Sequence, residues 1–321
     1  MEPTELYRQG EALLRNRDIG FALDGVETGS VLDRNRRVLD RYTFRQQCID
    51  APEATTRCRI LGVDLETPVI MSAMTMPIPA IVDQGMMRTA EGLRDAGSLL
   101  WTGTPIPRDL PEIIRTGVPV AANVKPHQDR DSLFRQIDEI QEAGVRWVGV
   151  EIDSGVGTKI GDRPMASDCI PLSFRELERI RARVSLPLIF KGVLSRKDAL
   201  RCAEAGGDGI MVSNHGAHTL DYLPHPFQVM DDIAEAVEDR TSLLVDGGFR
   251  RGSDVLKGLA FGAQAVGLGR PILFALAADG REGVRDLILA LTEELRRLMV
   301  MTGTSNPAQV EREILLDERA G

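Results

Sequence analysis

Residues 209–221 read Gly-Ile-Met-Val-Ser-Asn-His-Gly-Ala-His-Thr-Leu-Asp. The first four residues form a short apolar run that begins with glycine, which predicts a buried β-strand ending before Ser213. His215 follows at the end of the strand, and Gly216 behind it permits a sharp turn and the close approach of a ligand. Two interpretations are open: a histidine that faces a pocket, or a structural histidine at an ordinary turn. The rest of the chain bears on that choice.

The same pattern, a short apolar run followed by a polar or glycine-bearing turn, recurs along the chain from about residue 60. Helical segments lie between most of the runs, at 80–95, 132–143, 173–183, 196–205, 226–238 and 253–261. Strands that alternate with helices form parallel sheets with right-handed crossovers. Eight such units predict a closed (β/α)₈ barrel, the TIM-barrel fold. An open doubly wound sheet is the alternative, but no G-x-G-x-x-G follows the first run. The eight runs are 69–71, 99–101, 118–121, 147–152, 188–190, 209–212, 242–245 and 265–268.

The two ends of the chain differ from this pattern. Residues 1–60 are dense in charged side chains and carry helical patterns at 5–15 and 31–41. We predict that they form a short N-terminal helical cap on a barrel of residues 61–303, within one domain. A leucine stripe in 284–299 predicts a last helix that completes the outer ring. Residues 304–321 are predicted to be a charged tail that frays from about 306.

Composition narrows the class of protein. The chain has 48 acidic and 39 basic residues and a net charge of −9, which argues against nucleic acid or an anionic membrane as a partner. No stretch reaches the ~20 uncharged apolar residues of a membrane span, and the start of the chain lacks the apolar core of a signal peptide. The four cysteines are scattered and form no C-x-x-C pair, so we predict neither a metal site nor a disulfide framework. These features indicate a cytoplasmic protein that acts on a small molecule.

Charged side chains follow the predicted strands at their carboxyl ends, where the active sites of such barrels lie. Glu151 and Asp153 end the fourth strand, and Lys191 ends the fifth. A buried lysine is costly unless it faces a charged or polar partner, although a lysine that reaches the rim is the alternative. A carboxylate from Asp153 beside His215 would fix the imidazole tautomer and favour general-base behaviour.

Two glycine turns with arginines follow the last two strands. Gly247, Gly248 and Gly269 expose backbone N–H groups, and Arg250 and Arg270 add forked cationic donors. Barrels of this type often bind phosphate at this position. The pattern therefore predicts a phosphate site, with two ordinary surface turns as the alternative.

Four motifs together resemble a known family: Lys191-Gly192-Val193, Ser213-Asn214-His215-Gly216, Asp-Gly-Gly-Phe-Arg-Arg-Gly at 246–252, and Gly269-Arg270-Pro271. They are similar to the motifs of FMN-dependent 2-hydroxy-acid oxidases and dehydrogenases, which include enzymes that oxidise lactate, glycolate and mandelate. The resemblance is continuous from about residue 186 to 303 and weaker back to about residue 35.

This resemblance implies FMN as the cofactor and a role for each matching residue. His215 would be the catalytic base, Asp153 would orient it, and Lys191 would lie beside flavin N1 and O2 and stabilise the reduced flavin. Arg250, Gly269 and Arg270 would bind the phosphate. The full set of implied cofactor contacts is Ala73, Met74, Thr75, Asn123, Glu151, Lys191, Ser213, Asp246, Gly247, Gly248, Arg250, Gly269 and Arg270.

The substrate half of the family pattern is changed in this sequence. His218 stands where the family has an arginine that clamps the substrate carboxylate, Lys125 replaces a substrate-binding tyrosine, and Glu151 replaces a threonine. The family's long loop with a second arginine is short here, and Lys159 is its nearest cation. Loss of such an arginine costs on the order of 2–5 kcal/mol of binding. We expect Lys125, Lys159 and His218, with His127, to bind another anion or a larger substrate.

We therefore predict an FMN-dependent oxidoreductase that oxidises a carbon bearing a hydroxyl or amino group, on a substrate other than a simple 2-hydroxy acid. One alternative is a non-redox FMN isomerase that acts on a phosphorylated or anionic substrate. Another is a binding or scaffold protein that keeps FMN without catalysis. The family resemblance also implies a homo-oligomer, with a tetramer as one form.

Overall fold

Eight parallel strands form one sheet in which neighbours in sequence are neighbours in space. The computed structural model describes residues 2–17, 19–155, 157–160, 163–165 and 167–318, with 158–160 and 163–165 described by their backbone alone. The strands, called barrel strands 1 to 8 below, are Val69–Met71, Leu100–Thr102, Val120–Val124, Trp147–Glu151, Leu188–Val193, Gly209–Val212, Ser242–Val245 and Ala265–Leu268.

Backbone hydrogen bonds close the sheet into a barrel. Strand 8 pairs with strand 1, with Val266 opposite Val69. Between strands 1 and 2, the Met71 N–H donates to the Leu99 carbonyl and the Met74 N–H donates to the Trp101 carbonyl, each at 3.1 Å. The predicted (β/α)₈ barrel is confirmed, and it leaves no open sheet edge at this seam.

The helices surround the barrel, and three of those described below, Arg130–Ala143, Phe174–Arg183 and Arg196–Glu204, begin with a side-chain cap. Helix Phe174–Arg183, for example, starts with a capping box in which Ser173 Oγ accepts from the Glu176 N–H at 3.3 Å and Glu176 accepts from the Ser173 N–H at 2.6 Å. The helices are Pro3–Arg15, Ser30–Asp40, Ile78–Ile81, Gly85–Asp95, Leu110–Arg115, Arg130–Ala143, Phe174–Arg183, Arg196–Glu204, Met230–Val237, Gly252–Ala260 and Arg270–Met301.

Two helices differ from the prediction. Helix Leu110–Arg115, between strands 2 and 3, was not predicted, because six residues are too few for a helical period to emerge. The last helix starts at Arg270 instead of 284, and its backbone departs from helical geometry at Asp279 and Gly280. The leucine stripe covers only the part beyond this irregularity. In the part of the chain that the structure describes, no helix is long and apolar enough to cross a membrane.

A short hairpin closes the amino-terminal end of the barrel. Its strands, Cys58–Ile60 and Val63–Leu65, pair antiparallel. Apolar side chains of the hairpin pack against Trp147 and other residues inside the barrel, and Trp147 Nε1–H donates to the Leu61 carbonyl at 3.1 Å. With this end filled, the cavity of the barrel lies at the opposite, carboxyl end of the strands.

The N-terminal cap contacts both the outer ring and the barrel mouth. Helix Pro3–Arg15 packs on the last helix so closely that a Cβ at Gly10 would lie 2.1 Å from the Phe274 carbonyl oxygen. Helix Ser30–Asp40 lies over the barrel mouth. The strand Leu315–Asp317 pairs antiparallel with Tyr42–Phe44 of the cap. The C-terminal segment is therefore anchored through residue 318, in contrast to the expected fraying.

Candidate active site

A cavity of about 410 Å³ opens at the carboxyl ends of the barrel strands. The side of the cavity formed by the cap includes Phe21, Leu23, Leu32 and Asn35, none of which the sequence indicated. Of the predicted site residues, Asn123, Asp153 and Ser213 are not among those that line the cavity, and the Lys159 side chain lies outside the described part of the chain. The predicted residues that line the cavity are Ala73, Met74, Thr75, Lys125, His127, Glu151, Lys191, His215, His218, Asp246, Gly247, Gly248, Arg250, Gly269 and Arg270.

His215 and Asp153 form the pair expected from the sequence. His215 Nδ1 lies 2.9 Å from Asp153 Oδ2, so the carboxylate accepts the Nδ1 proton and Nε2 is left as the basic atom. Burial raises the pKa of Asp153, but His215 and Lys191 outweigh it and hold that pKa below its usual value. A Cβ at Gly192 would lie 2.2 Å from the Asp153 carboxyl carbon, so the space for this carboxylate depends on glycine.

Lys191 is a buried cation held by carboxylates. Its side chain is 2% exposed, and burial alone lowers its pKa. Glu151, Asp153 and Asp246 more than offset that effect and raise the pKa above its ordinary value. Lys191 therefore keeps its charge at the barrel mouth. Of the two interpretations of this residue, the structure supports a buried lysine with charged partners and not a lysine that extends to the rim.

Glu151 and Lys125 form an ion pair that the sequence analysis missed. The Lys125 ammonium donates to Glu151 Oε2 and, at 2.9 Å, to Ser154 Oγ. Ser154 Oγ–H in turn donates to Glu151 Oε2 at 2.9 Å. Burial raises the pKa of Glu151, but Lys125, His215 and Lys191 pull it far below its usual value. The positive charge of Lys125 is thus balanced by Glu151, so Lys125 is not the free cation that we expected.

His218 is also engaged by a neighbour. Arg270 Nη2 lies 3.0 Å from His218 Nε2 and donates to it, so this imidazole nitrogen is an acceptor. Burial and the Arg270 charge lower the pKa of His218 well below its usual value. In this arrangement His218 brings no positive charge to the cavity, because an arginine occupies its lone pair. Its contact with a substrate stays a prediction.

Arg270 and Arg250 bring two guanidinium groups to the predicted phosphate cradle. Arg270 donates to the carbonyls of Ala22 at 3.1 Å and Gly216 at 2.8 Å, which ties the cap to the turn after His215. Burial and the nearby Arg250 lower the pKa of Arg270 to about 10, so it remains a cation at neutral pH. Two adjacent cations at one end of a cavity favour a dianionic ligand.

The glycines of the cradle have conformations that other residues rarely adopt. Gly247 and Gly248 have φ values of +115° and +86°. A Cβ at Gly248 would lie 2.8 Å from Asn35 Cβ, whereas a Cβ at Gly269 would meet nothing within 4 Å. The first turn is therefore fixed against the cap, and the backbone of the second is open to a ligand.

His225 supports the cradle from below. Its Nδ1 accepts from the Phe227 N–H at 3.1 Å, so the proton is on Nε2, which donates to the Gly247 carbonyl at 3.1 Å. Burial lowers the pKa of His225 from 6.5 to about 3. The neutral imidazole is thus part of the folded state.

This depressed pKa predicts a loss of stability in acid. A histidine that is neutral when folded contributes stability that is complete above its unfolded pKa of about 6.5 and is lost as the pH falls toward 3. We expect His225 to account for a loss on the order of 3–5 kcal/mol over that range. Urea unfolding of wild type and His225→Asn at several pH values measures it. A pH dependence as steep in the variant as in wild type would contradict the assignment.

Near the carboxyl ends of the barrel strands, several buried polar atoms have no partner among the residues that the structure describes. They include Ser72 Oγ, Thr102 Oγ1, Asp246 Oδ1 and both side-chain atoms of Asn123. Buried polar groups of this kind normally pair with protein, water or ligand. A flat heterocycle with amide-like edges would satisfy the Asn123 amide, and a phosphate tail would match the two arginines. The donor set therefore fits a flavin mononucleotide, and the fold and site define an FMN-binding barrel oxidoreductase.

Comparison with known proteins agrees with this class. The sequence model described as FMN-dependent dehydrogenase matches residues 12–167 and 159–317. L-lactate oxidase of Lentilactobacillus hilgardii is 30% identical over 98% of this chain and 94% of its own. Glycolate oxidase 3 of Arabidopsis thaliana is 29% identical over 91% of this chain and 89% of its own. The crystal structure of a mandelate oxidase variant with 2-hydroxy-phenylacetamide has a TM-score of 0.89 at 29% identity, covering 98% of this chain and 97% of that one. The chain belongs to the FMN-dependent dehydrogenase family, is an oxidoreductase, and uses FMN.

Proposed function

We propose that this enzyme oxidises a carbon bearing a hydroxyl or amino group on a substrate other than a simple 2-hydroxy acid. Bound FMN supplies the acceptor for two electrons. Arg250, Arg270 and the backbone at Gly269 would hold its phosphate, and Asn123 would pair with the edge of its ring. Lys191, a cation that burial does not neutralise, would stabilise negative charge developing beside it.

His215 performs the proton transfer in this proposal. Asp153 holds its Nδ1–H, so Nε2 faces the cavity as an acceptor and can take the proton of the substrate's O–H or N–H group. Asp153 also stabilises the imidazolium that results. Because Asp153 is itself held ionised by His215 and Lys191, the pair gains a proton at the imidazole and not at the carboxylate.

One observation carries the substrate proposal: among the described side chains, Lys125, His127 and His218 each already have a protein partner. Lys125 is bonded to Glu151 and Ser154. His218 accepts from Arg270. His127 Nδ1 lies 2.7 Å from Asp168 Oδ2. Within the described part of the chain, a substrate carboxylate would therefore gain no free cationic partner from these three residues, and it would lie near the carboxylate of Glu151.

A matched pair of substrates tests this proposal. Mandelate and its amide share one skeleton and differ in charge, as do lactate and lactamide. We expect each amide to reduce the bound FMN of the holoenzyme at least as efficiently as its acid in anaerobic stopped-flow mixing. An enzyme that clamps the carboxylate would favour the acid by about 30-fold or more, since 2 kcal/mol of binding is at stake. A preference for the acids would contradict the proposal.

The alternative functions are less well supported. A non-redox isomerase would bind its anionic substrate through Lys125, His127 and His218, and each of the three already has a protein partner. A scaffold that only retains FMN gives no reason for a histidine–aspartate pair at the cavity. Substrate-dependent reduction of FMN separates oxidation from both alternatives.

We further propose that the chain works as a homo-oligomer in the cytoplasm. The family resemblance supports assembly, and the unpaired state of Cys48, Cys58, Cys169 and Cys202 is consistent with a reducing compartment.

A further inference from the structure

We propose that Glu151 selects nitrogen over oxygen at the reacting carbon, so that the substrate is a primary amine. This inference rests on the proposed function and names its substrate class. Glu151 is almost completely buried, with 3% of its side chain exposed, yet it lines the cavity. Its Oε2 accepts from Lys125 and Ser154. Its Oε1 lies 3.9 Å from His215 Nε2 and 3.9 Å from Lys191 Nζ, too far for a hydrogen bond to either.

Two acceptors therefore face the same point in the cavity. His215 Nε2 is an acceptor because its other nitrogen holds the proton for Asp153. Glu151 Oε1 is an acceptor because a carboxylate with a strongly lowered pKa has no proton to give. Among the described side chains, none donates a hydrogen bond to either atom at these distances. An acceptor that a bound ligand shields from water needs a donor from that ligand, and a carboxylate needs it more than a neutral group does.

One substrate atom can satisfy both acceptors only if it carries two hydrogens. An atom about 2.8 Å from each would see them at an angle of about 90°. An amino nitrogen has two N–H groups and can donate one to His215 Nε2 and one to Glu151 Oε1. A hydroxyl oxygen has one hydrogen, so it must leave one acceptor unsatisfied and place its lone pairs against it.

The reaction that follows is amine oxidation with a balanced transfer. The hydrogen on the reacting carbon leaves with the electron pair of its C–H bond, which is transferred to bound FMN. The N–H proton passes to His215 Nε2, and the nitrogen lone pair forms the C=N bond. The amine is oxidised to an imine as FMN is reduced, and water then converts the imine to a carbonyl compound and ammonia. Glu151 keeps its charge throughout and orients the nitrogen.

The hydrogen bonds to Glu151 also determine how a glutamine side chain would be oriented at this position. In Glu151→Gln, the Lys125 ammonium and the Ser154 hydroxyl both donate to the inner atom, so the amide oxygen must take the Oε2 position. The amide NH₂ then replaces Oε1 beside His215. An acceptor becomes a donor without a change of shape, which should remove the preference for nitrogen.

The test uses three probes of one skeleton: mandelate, mandelamide and phenylglycinamide, which carries NH₂ where mandelamide carries OH. Reduction of FMN is followed anaerobically in holoenzyme over a range of pH. We expect wild type to prefer phenylglycinamide over mandelamide by about tenfold or more, one hydrogen bond to a charged group. Glu151→Gln should bring this ratio to one or below while FMN stays bound. Glu294→Gln is the matched control, since Glu294 is ion-paired with Arg251 at 2.9 Å outside the cavity.

The outcomes separate the two proposals. If mandelamide is the better substrate of the two amides, or if Glu151→Gln keeps the wild-type ratio, the selection of nitrogen is overturned while the proposed function stands. If mandelate exceeds both amides, the proposed function itself fails. If Glu151→Gln instead weakens FMN binding and leaves the ratio unchanged, Glu151 is a cofactor contact and not a selector. The alaninamide, lactamide and lactate series applies the same criteria to a smaller substrate.

Discussion

His215→Ala is expected to slow reduction of bound FMN by substrate about 10²- to 10⁴-fold, the usual contribution of a positioned general base. His215 Nε2 is the acceptor that faces the cavity, and its orientation is fixed by the 2.9 Å contact between Nδ1 and Asp153. Removing the imidazole leaves the substrate proton without the acceptor that faces it. Anaerobic stopped-flow measurement of flavin bleaching gives the rate directly, and separates it from reoxidation.

Asp153→Asn provides the graded comparison. The amide can no longer enforce a proton on Nδ1 or stabilise the imidazolium, so we expect a loss smaller than that of His215→Ala but in the same step. Both variants should retain FMN, because neither residue belongs to the phosphate cradle. If His215→Ala bleaches the flavin at the wild-type rate with FMN bound, another residue is the base.

Lys125→Met is expected to destabilise the protein by about 3–5 kcal/mol, the cost of leaving one partner of a buried ion pair without the other. Lys125 and Glu151 are 12% and 3% exposed, so solvent cannot replace the lost ammonium. Lys191 and His215 remain, each 3.9 Å from Glu151 Oε1, but neither donates a hydrogen bond to it. Urea unfolding of wild type and variant measures the difference.

The pH dependence of the stability lost in Lys125→Met has a definite sign. In wild type, the pKa of Glu151 lies below its unfolded value of 4.5, so its stabilising contribution is complete above pH 4.5 and is lost as the pH falls. Among the charges that lower the pKa of Glu151, Lys125 has the largest effect. This pKa is therefore less depressed in Lys125→Met, and the variant loses most stability, relative to wild type, near neutral pH. The double variant Lys125→Met/Glu151→Met removes both charges and should recover most of the stability. A double variant as unstable as the single one would indicate lost packing instead.

The barrel was predictable because its signal is repeated. Each of the eight apolar runs is buried and is followed by a polar turn, and the parallel alternation allows few topologies. The hairpin Cys58–Ile60 and Val63–Leu65 was not predictable, since its strands have three residues each and follow a charged segment. Its role depends on Trp147 inside the barrel, a contact across more than eighty residues.

The ion pair of the site had a signal that was overlooked. Strands 3 and 4 are neighbours, with Asn123 opposite Gly149. Lys125 and Glu151 each lie two residues further along, so the register of the sheet places them side by side. Opposite charges at matched positions of adjacent parallel strands predict a pair, whereas each residue alone suggests a ligand contact. His218 gave no such signal, because its partner Arg270 lies 52 residues further along the chain.

The amide pair of Asn35 and Asn214 joins the start of the chain to its centre, with Asn214 Nδ2 donating to Asn35 Oδ1 at 2.6 Å. The helix that carries Asn35 also presses against Gly248 of the cradle. The flavin site is therefore complete only after the N-terminal cap has docked on residues of the later part of the chain, such as Asn214 and Gly248. Uptake of the yellow chromophore by a nascent or refolding chain would consequently report the docking of both halves, and a tag or truncation at the amino terminus should be judged by colour as well as by yield.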